Sequence, residues 1–276
     1  MELRFAKMQG LGNDFVLVDA LSSPIALSPE LVRRIADRRY GVGCDQVLLI
    51  EPASQAGADI RYRIYNADGG EVEHCGNGSR CVARYLREEK LIDGDHIVLE
   101  TVNGVIRMDY AGGDQVAVDM GPPRFAPHNI PMAVQRQANS YELEAGGQRI
   151  TVCALSMGNP HAVLCVDAVA TTPVDALGPL IAMHRVFPKG ANAGFMEVVD
   201  RAHIRLRVYE RGVGETPACG TGACAAVVAG RQQGLLDAEV DVALPGGHLS
   251  IRWKGEGASV WMTGPAERVF EGRIHL

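Results

Sequence analysis

With 276 residues, 47% of them hydrophobic, the chain holds enough apolar side chain for two ordinary domains, each with its own core. A formal net charge of −6, with no long basic run, excludes a surface built to hold nucleic acid or an acidic membrane, so neither is expected as a partner. Seven cysteines, an odd number scattered along the chain, exclude a disulfide framework and fit a reducing compartment.

The opening residues, MELRFAKMQG, lack the charged start, apolar stretch and small-residue cleavage site of a signal peptide. No apolar run approaches the ~20 residues of a membrane span, and the expected location is the cytoplasm. MQGLGNDFVLVDA reads as a glycine turn and then a strand from Phe15 to Asp19. Ser28-Pro29-Glu30 is a helix start, a capping hydroxyl before a proline at the first helical position, and predicts a helix from Pro29 to Arg39. A strand is expected at Val47 to Glu51, and the alternating run IRYRIY at Ile60 to Tyr65 predicts another. A glycine-rich loop then leads through Cys75 into the helical run SRCVARYLREEKL. HIVLETVNGVIRMDY reads as a hairpin turning at Asn103-Gly104, followed by the strand VAVDMG.

Pro123 to Gln137, proline-bearing and weakly periodic, reads as a crossing into a second half. There the order repeats. Thr172-Pro173 opens a helix expected to reach about His184, a strand follows near Gly194 to Val199, and IRLRVY occupies Ile204 to Tyr209. A second glycine-rich loop leads through Cys219 into ACAAVVAGRQQGLL, then to a hairpin turning at Gly246-Gly247 and the strand VWMTGP.

The repeat is numerical. Subtracting 144 from Arg205, Arg207, Tyr209, Gly214, Glu215, Cys219, Gly220 and Gly222 gives Arg61, Arg63, Tyr65, Gly70, Glu71, Cys75, Gly76 and Gly78. Such matching points to a duplicated unit. Many half-buried strands per half, few helices and one strongly apolar helix predict an α+β protein of two pseudo-symmetric domains. Each is expected to curl a mixed, mainly antiparallel sheet around a central helix.

Cys75 and Cys219 each stand about where a helix begins. Unpaired N–H groups and the positive end of the helix dipole favour a thiolate there and can hold a carboxylate. Either cysteine alone could be a small core residue. Two at matching places, each followed by Gly-x-Gly, point to chemistry instead. Zinc fits poorly, since the spacings from Cys75 to Cys81 and from Cys219 to Cys224 are not those of zinc knuckles, and no metal is expected. Thiols facing each other across a cleft could take a proton from one side of a carbon and deliver one to the other, inverting the centre. Pyridoxal phosphate chemistry needs a lysine, and Lys7, Lys90, Lys189 and Lys254 all lie outside the motifs, so no cofactor is expected. A thiol redox protein is the rival from another class, disfavoured because the two cysteines are distant in sequence and form no Cys-x-x-Cys.

The runs QGLGNDF (Gln9 to Phe15), NADGGEVEHCGNGSR (Asn66 to Arg80), SMGNPH (Ser156 to His161) and ERGVGETPACGTGACA (Glu210 to Ala225) resemble the motifs of the diaminopimelate epimerase family. The resemblance spans essentially the whole chain. It implies cofactor-free interconversion of LL- and meso-diaminopimelate, in the bacterial route to lysine and peptidoglycan. It also implies a homodimer of two-domain chains, with domains of 1–119 plus 265–276 and of 120–264, the first completed by the C-terminal strand.

Residue by residue, it implies that Cys75 and Cys219 are the acid/base pair and that His161 and Glu210 adjust their pKa values. Asn13, Gln46, Asn66, Asn159, Asn192, Glu210 and Arg211 would grip the substrate, Arg211 by its fork to a carboxylate and Glu210 at an ammonium. Gly76-Asn77 and Gly220-Thr221 would cradle the reacting carboxylate. Phe270 departs from the pattern, standing where relatives often carry a tyrosine in the closing strand, a region used in dimer contacts. Proline racemase and hydroxyproline epimerase typically show Cys-Gly-His-Gly at the first site, where this chain has Asn77.

Overall fold

The alternating runs become ladders at matching places in two halves. The structure, a computed structural model, describes residues 2–72 and 76–275. Its backbone divides into two compact units, 1–119 with 263–276, and 120–262.

In the first unit, strand Glu2–Gly10 pairs antiparallel with Asn13–Asp19, which runs parallel to Gln46–Pro52. Gln46–Pro52 pairs antiparallel with Ile60–Asn66, which lies parallel to His96–Thr101; Gly104–Gly112 and Gln115–Asp119 follow antiparallel. The second unit repeats the scheme. Gln148–Ser156 pairs antiparallel with Pro160–Cys165, parallel from there to Asn192–Asp200, antiparallel to His203–Glu210, parallel to Glu239–Leu244 and antiparallel to Gly247–Trp253.

One strand comes from different places in the two copies. In the second unit Tyr141–Ala145 forms a hairpin with Gln148–Ser156, whereas the equivalent place beside Glu2–Gly10 is taken by Glu267–His275 from the far end of the chain.

Among the described residues four α-helices serve the two units: α1 (Pro29–Ala36), α2 (Gly76–Glu88), α3 (Val174–Ala182) and α4 (Gly220–Gln232). A helix apolar on every side has to be enclosed. Accordingly Ala223 to Ala229 of α4 have no exposed surface, and α4 lies against five strands of its unit, 148–156, 160–165, 192–200, 203–210 and 247–253. The helix α2 is enclosed likewise by strands 2–10, 13–19, 46–52, 115–119 and 267–275. Each sheet therefore curls around the helix that follows a cysteine motif. The remaining helices present a single apolar stripe. Val32 and Ile35 of α1 pack with Val16, Val18, Val47 and Leu49, while Val174 and Ile181 of α3 pack with Phe187, Ala193 and Phe195.

Several boundaries differ from the sequence reading for local reasons. The helix α1 stops at Ala36 rather than Arg39 because the Asp37 carboxylate accepts the N–H groups of Arg39 and Tyr40, at 2.7 and 2.8 Å, and turns the chain. Both hairpins turn one residue earlier than expected. Thr101 pairs with Gly104 and Leu244 with Gly247, leaving Val102-Asn103 and Pro245-Gly246 in the turns. Gly104 and Gly247 have φ of 120° and 137°, which a side chain would oppose. The stretch read as a crossing, Pro123 to Gln137, belongs to the second unit, where Ile130 and Met132 enter the core.

Candidate active site

The duplication organises the candidate site as well as the fold. Asn13 and Asn159 stand 146 residues apart, as do Gln46 and Asn192, while Asn66 and Glu210 stand 144 apart. Register explains the pattern: Phe15 pairs with Gln46 and His161 with Asn192 in the parallel ladders, and Gln46 pairs across to Asn66. Each unit thus gathers three polar side chains at one edge of neighbouring strands, beside the start of its enclosed helix.

In the first unit the Asn77 amide donates to Asn13 Oδ1 at 3.4 Å and the Gln46 amide to Asn66 Oδ1 at 2.8 Å. Arg80, fully buried, donates to Asn77 Oδ1 at 2.9 Å. Asn13 in turn donates to Asp45 Oδ2 at 2.9 Å, and Arg38 bridges Asp45 to Asp14. Burial works against charge on Asp14, yet hydrogen bonds from Arg38 and Lys7 hold its carboxyl well below the usual range. The helix α2 opens at Gly76-Asn77. Cys75, the expected acid/base residue, lies outside the described residues together with Glu73 and His74.

In the second unit Cys219 is the residue before the first turn of α4, with extended φ and ψ of −120° and 104°, and Gly220-Thr221 open the helix. Its thiol donates to Glu210 Oε2 at 3.2 Å, and the Thr216 hydroxyl donates to Glu210 Oε1 at 2.6 Å. Thr221 Oγ1 lies 3.6 Å from the same sulfur and accepts from the Asn159 amide at 3.3 Å. Asn159 Oδ1, only an acceptor, sits 2.9 Å from His161 Nε2, so that nitrogen carries the imidazole proton. A line of hydrogen bonds therefore runs from His161 through Asn159 and Thr221 to Cys219. The pairs Asn77–Asn13 and Asn159–Thr221 are the same contact in the two copies.

Expectation and structure part at the thiol. Burial pushes the Cys219 thiol well above its ordinary range, and the Glu210 carboxylate adds to this, outweighing the Thr221 hydroxyl and the Gly222 N–H that favour a thiolate. With Cys219 only 5% exposed, desolvation outweighs the helix start and the protonated thiol is favoured. Burial, helped by the Arg211 charge, lowers His161 to about 3, so its imidazole stays neutral and can serve only as a hydrogen-bonding group. Arg211 does not pair with Glu210: its backbone N–H donates to Asn192 Oδ1 at 2.9 Å and its guanidinium to the Lys189 carbonyl at 2.5 Å.

Two devices hold these groups in place. A Cβ on Gly222 would stand 3.0 Å from Val208 Cγ2 and 3.2 Å from the Cys219 sulfur, so a side chain there would crowd both and glycine lets the helix start lie close over the strand. Arg207 grips Glu215 through paired bonds of 2.6 and 2.7 Å, and Arg63 grips Glu71 through two of 2.8 Å, fixing the short strands that lead into the cysteine loops. Thr216 and Arg80 escaped the sequence reading. Comparison of the copies at 144 residues was the available signal for Thr216, which stands where the first copy has Val72.

The fold of two like units, each a sheet curled around a helix, is one that solved structures share. Similar folds are a phenazine biosynthesis protein of the PhzF family from Bacillus anthracis, with TM-score 0.71 and 19% identity over the whole of both chains, and a probable proline racemase from Agrobacterium radiobacter, with TM-score 0.70 and 17% identity over 99% of this chain and 93% of that one. The diaminopimelate epimerase family model matches twice, at residues 5–126 and 153–269. Diaminopimelate epimerases from Alkalilimnicola ehrlichii and Thioalkalivibrio sulfidiphilus are 58% and 59% identical, with both sequences covered in full. The chain belongs to the diaminopimelate epimerase family.

Proposed function

We propose that the protein is an isomerase that interconverts LL-2,6-diaminopimelate and meso-diaminopimelate by proton transfer at an α-carbon, with Cys75 and Cys219 as opposing acid and base. The observation that carries this reading is the Cys219 thiol at the start of α4, its proton shared with Glu210, in a chain of this family. One sulfur, as thiolate, takes the α-proton; the electron pair left on carbon spreads into the adjoining carboxylate. The opposing thiol gives its proton to the other face, so the centre inverts and the thiol and thiolate exchange places. First-turn N–H groups at Gly76-Asn77 and Gly220-Thr221, which have no acceptor within their helices, hold that carboxylate and stabilise its growing charge.

The remaining polar groups select the substrate. Asn13, Gln46, Asn66, Asn159 and Asn192 supply amides, Glu210 meets an ammonium and Arg211 forks to the distal carboxylate. A substrate lacking the second amino-acid end leaves those partners unpaired and is rejected. His161, neutral, tunes Cys219 through Asn159 and Thr221. No step calls on a cofactor. We place the protein in the cytoplasm, in lysine and peptidoglycan-precursor synthesis; no described helix is long and apolar enough to cross a membrane. The two halves act as domains, 1–119 with 265–276 and 120–264, and the chain works as a homodimer. Phe270, 48% exposed on the C-terminal strand, gives that dimer an apolar contact.

The test is turnover. Freshly reduced protein is incubated without pyridoxal phosphate with LL-diaminopimelate, L-proline or trans-4-hydroxy-L-proline, and products are resolved by chiral chromatography. Meso-diaminopimelate should form and the cyclic amino acids should stay unchanged. Conversion of a cyclic amino acid with LL-diaminopimelate untouched overturns the assignment.

A further inference from the structure

The two copies differ around the carboxylate that faces Cys219. At an offset of 144 residues, Glu210 replaces Asn66 and Thr216 replaces Val72, so the carboxylate and the hydroxyl that bonds it are present together in one copy and absent together from the other. In the first copy Asn66 is held instead by the Gln46 amide at 2.8 Å; its counterpart in the second, Asn192, is turned to the Arg211 N–H at 2.9 Å. The strand-end partner that fixes Asn66 is thus not available to Glu210. The Thr216 hydroxyl, 2.6 Å from Oε1, takes its place.

We propose that Thr216 is a positioning residue for the two-thiol reaction: its hydroxyl pins one oxygen of Glu210 so that the other is aimed at the Cys219 sulfur. The inference rests on the reaction proposed above. A carboxylate turns easily about its last torsion, which is broad and roughly two-fold, so a glutamate tethered only by its stem does not keep one oxygen 3.2 Å from a sulfur. Threonine suits the task because branching at Cβ stiffens its χ1. Its backbone is fixed too: Thr216 pairs with Val208, and the neighbouring Glu215 is locked to Arg207 by two bonds. The donor direction is settled, since an ionised carboxylate can only accept.

Thr216→Val keeps the branched shape and removes the hydroxyl; Thr216→Ser keeps the hydroxyl. With LL-diaminopimelate, Thr216→Val should lower kcat about tenfold and leave KM within about twofold, and Thr216→Ser should return kcat to within about threefold of the parent. A second readout needs no substrate. Because Glu210 favours the protonated thiol, its displacement should speed alkylation of Cys219 by iodoacetamide at pH 8, followed by peptide mass spectrometry, by at least about threefold in Thr216→Val and not in Thr216→Ser. In a Glu210→Gln background the second substitution should change neither readout by more than about twofold, because coupled groups do not add.

Labelling of Thr216→Val at the parent rate, or effects of Thr216→Val and Glu210→Gln that multiply, would overturn the proposal. So would Thr216→Ser as impaired as Thr216→Val at an equal melting temperature. A parent that leaves diaminopimelate untouched refutes the assigned reaction, and the labelling arms still decide whether Thr216 aims Glu210.

Discussion

Replacing Glu210 by glutamine isolates the charge that faces the Cys219 thiol. The side chain keeps its size, and Thr216 and Cys219 keep an oxygen and an amide to meet. What disappears is a negative charge 3.2 Å from the sulfur. At that distance two unit charges repel by about 1.3 kcal/mol if the surroundings screen like water and by about 5 kcal/mol at an effective dielectric constant of ~20. The buried sulfur and half-buried glutamate place the site between these limits. Even the weaker figure favours thiolate by about tenfold once the charge is gone. Iodoacetamide labelling across pH, read by peptide mass spectrometry, measures this directly. Cys44, Cys81, Cys153 and Cys224, all buried, serve as slow internal controls and exposed Cys165 as a fast one. The midpoint for Cys219 should move to lower pH, while turnover falls because Glu210 also belongs to the substrate site. A midpoint that stays in place, or rises, would refute the claim that Glu210 holds Cys219 as a thiol.

Other outcomes follow from the same geometry. Gly222→Ala brings a Cβ to 3.0 Å from Val208 Cγ2 and 3.2 Å from the Cys219 sulfur, and should cost about 1–3 kcal/mol in urea unfolding along with most of the activity. Arg207→Met removes the fork to Glu215 and the donor to the Val169 carbonyl, and should lower stability by about 1–3 kcal/mol, read from the urea midpoint. His161 has a folded pKa lowered from 6.5 to about 3 by burial, so the unfolded chain binds its proton first. The stability this residue contributes is complete above about pH 6.5 and is lost as pH falls toward 3, with a slope of up to about 1.4 kcal/mol per pH unit. His161→Phe, which copies Phe15 of the first unit, should flatten that part of the stability profile; an unchanged slope would show that His161 is not buried neutral.

Much of this arrangement was legible because duplication writes the same signal twice. The runs IRYRIY and IRLRVY and the Cys-Gly-x-Gly helix starts are strong local patterns, and they became the strands and enclosed helices expected of them. Elements with a broken period were missed. The strand Glu2–Gly10 changes register between Lys7 and Met8, so its alternation fails midway, and the inward Lys7 is tolerated only because Asp14 and the Gly43 carbonyl receive its ammonium. The hairpin at Gly146-Gly147, where both glycines have positive φ, did carry a readable turn between alternating runs. Among the site residues, Asn159, Thr221, His161 and Glu210 are brought together around Cys219. Nothing in the sequence pattern, however, told of the burial that raises its pKa. Helix-start reasoning sees the dipole and N–H groups; desolvation depends on what the whole unit packs over the sulfur.

The central claim is that two thiols act from opposite faces, and the most direct test is the fate of deuterium at early conversion. LL-diaminopimelate is incubated with reduced protein in deuterated water, and both isomers are recovered before a few per cent has reacted. A thiol that removes a proton holds it alone and can only return the same one, whereas the opposing thiol has equilibrated with solvent. The meso product should therefore carry deuterium at the inverted carbon while recovered LL isomer keeps its proton, and in the opposite direction the roles should reverse. Deuterium entering the recovered substrate as fast as the product would mean one group serving both faces, and would contradict the account.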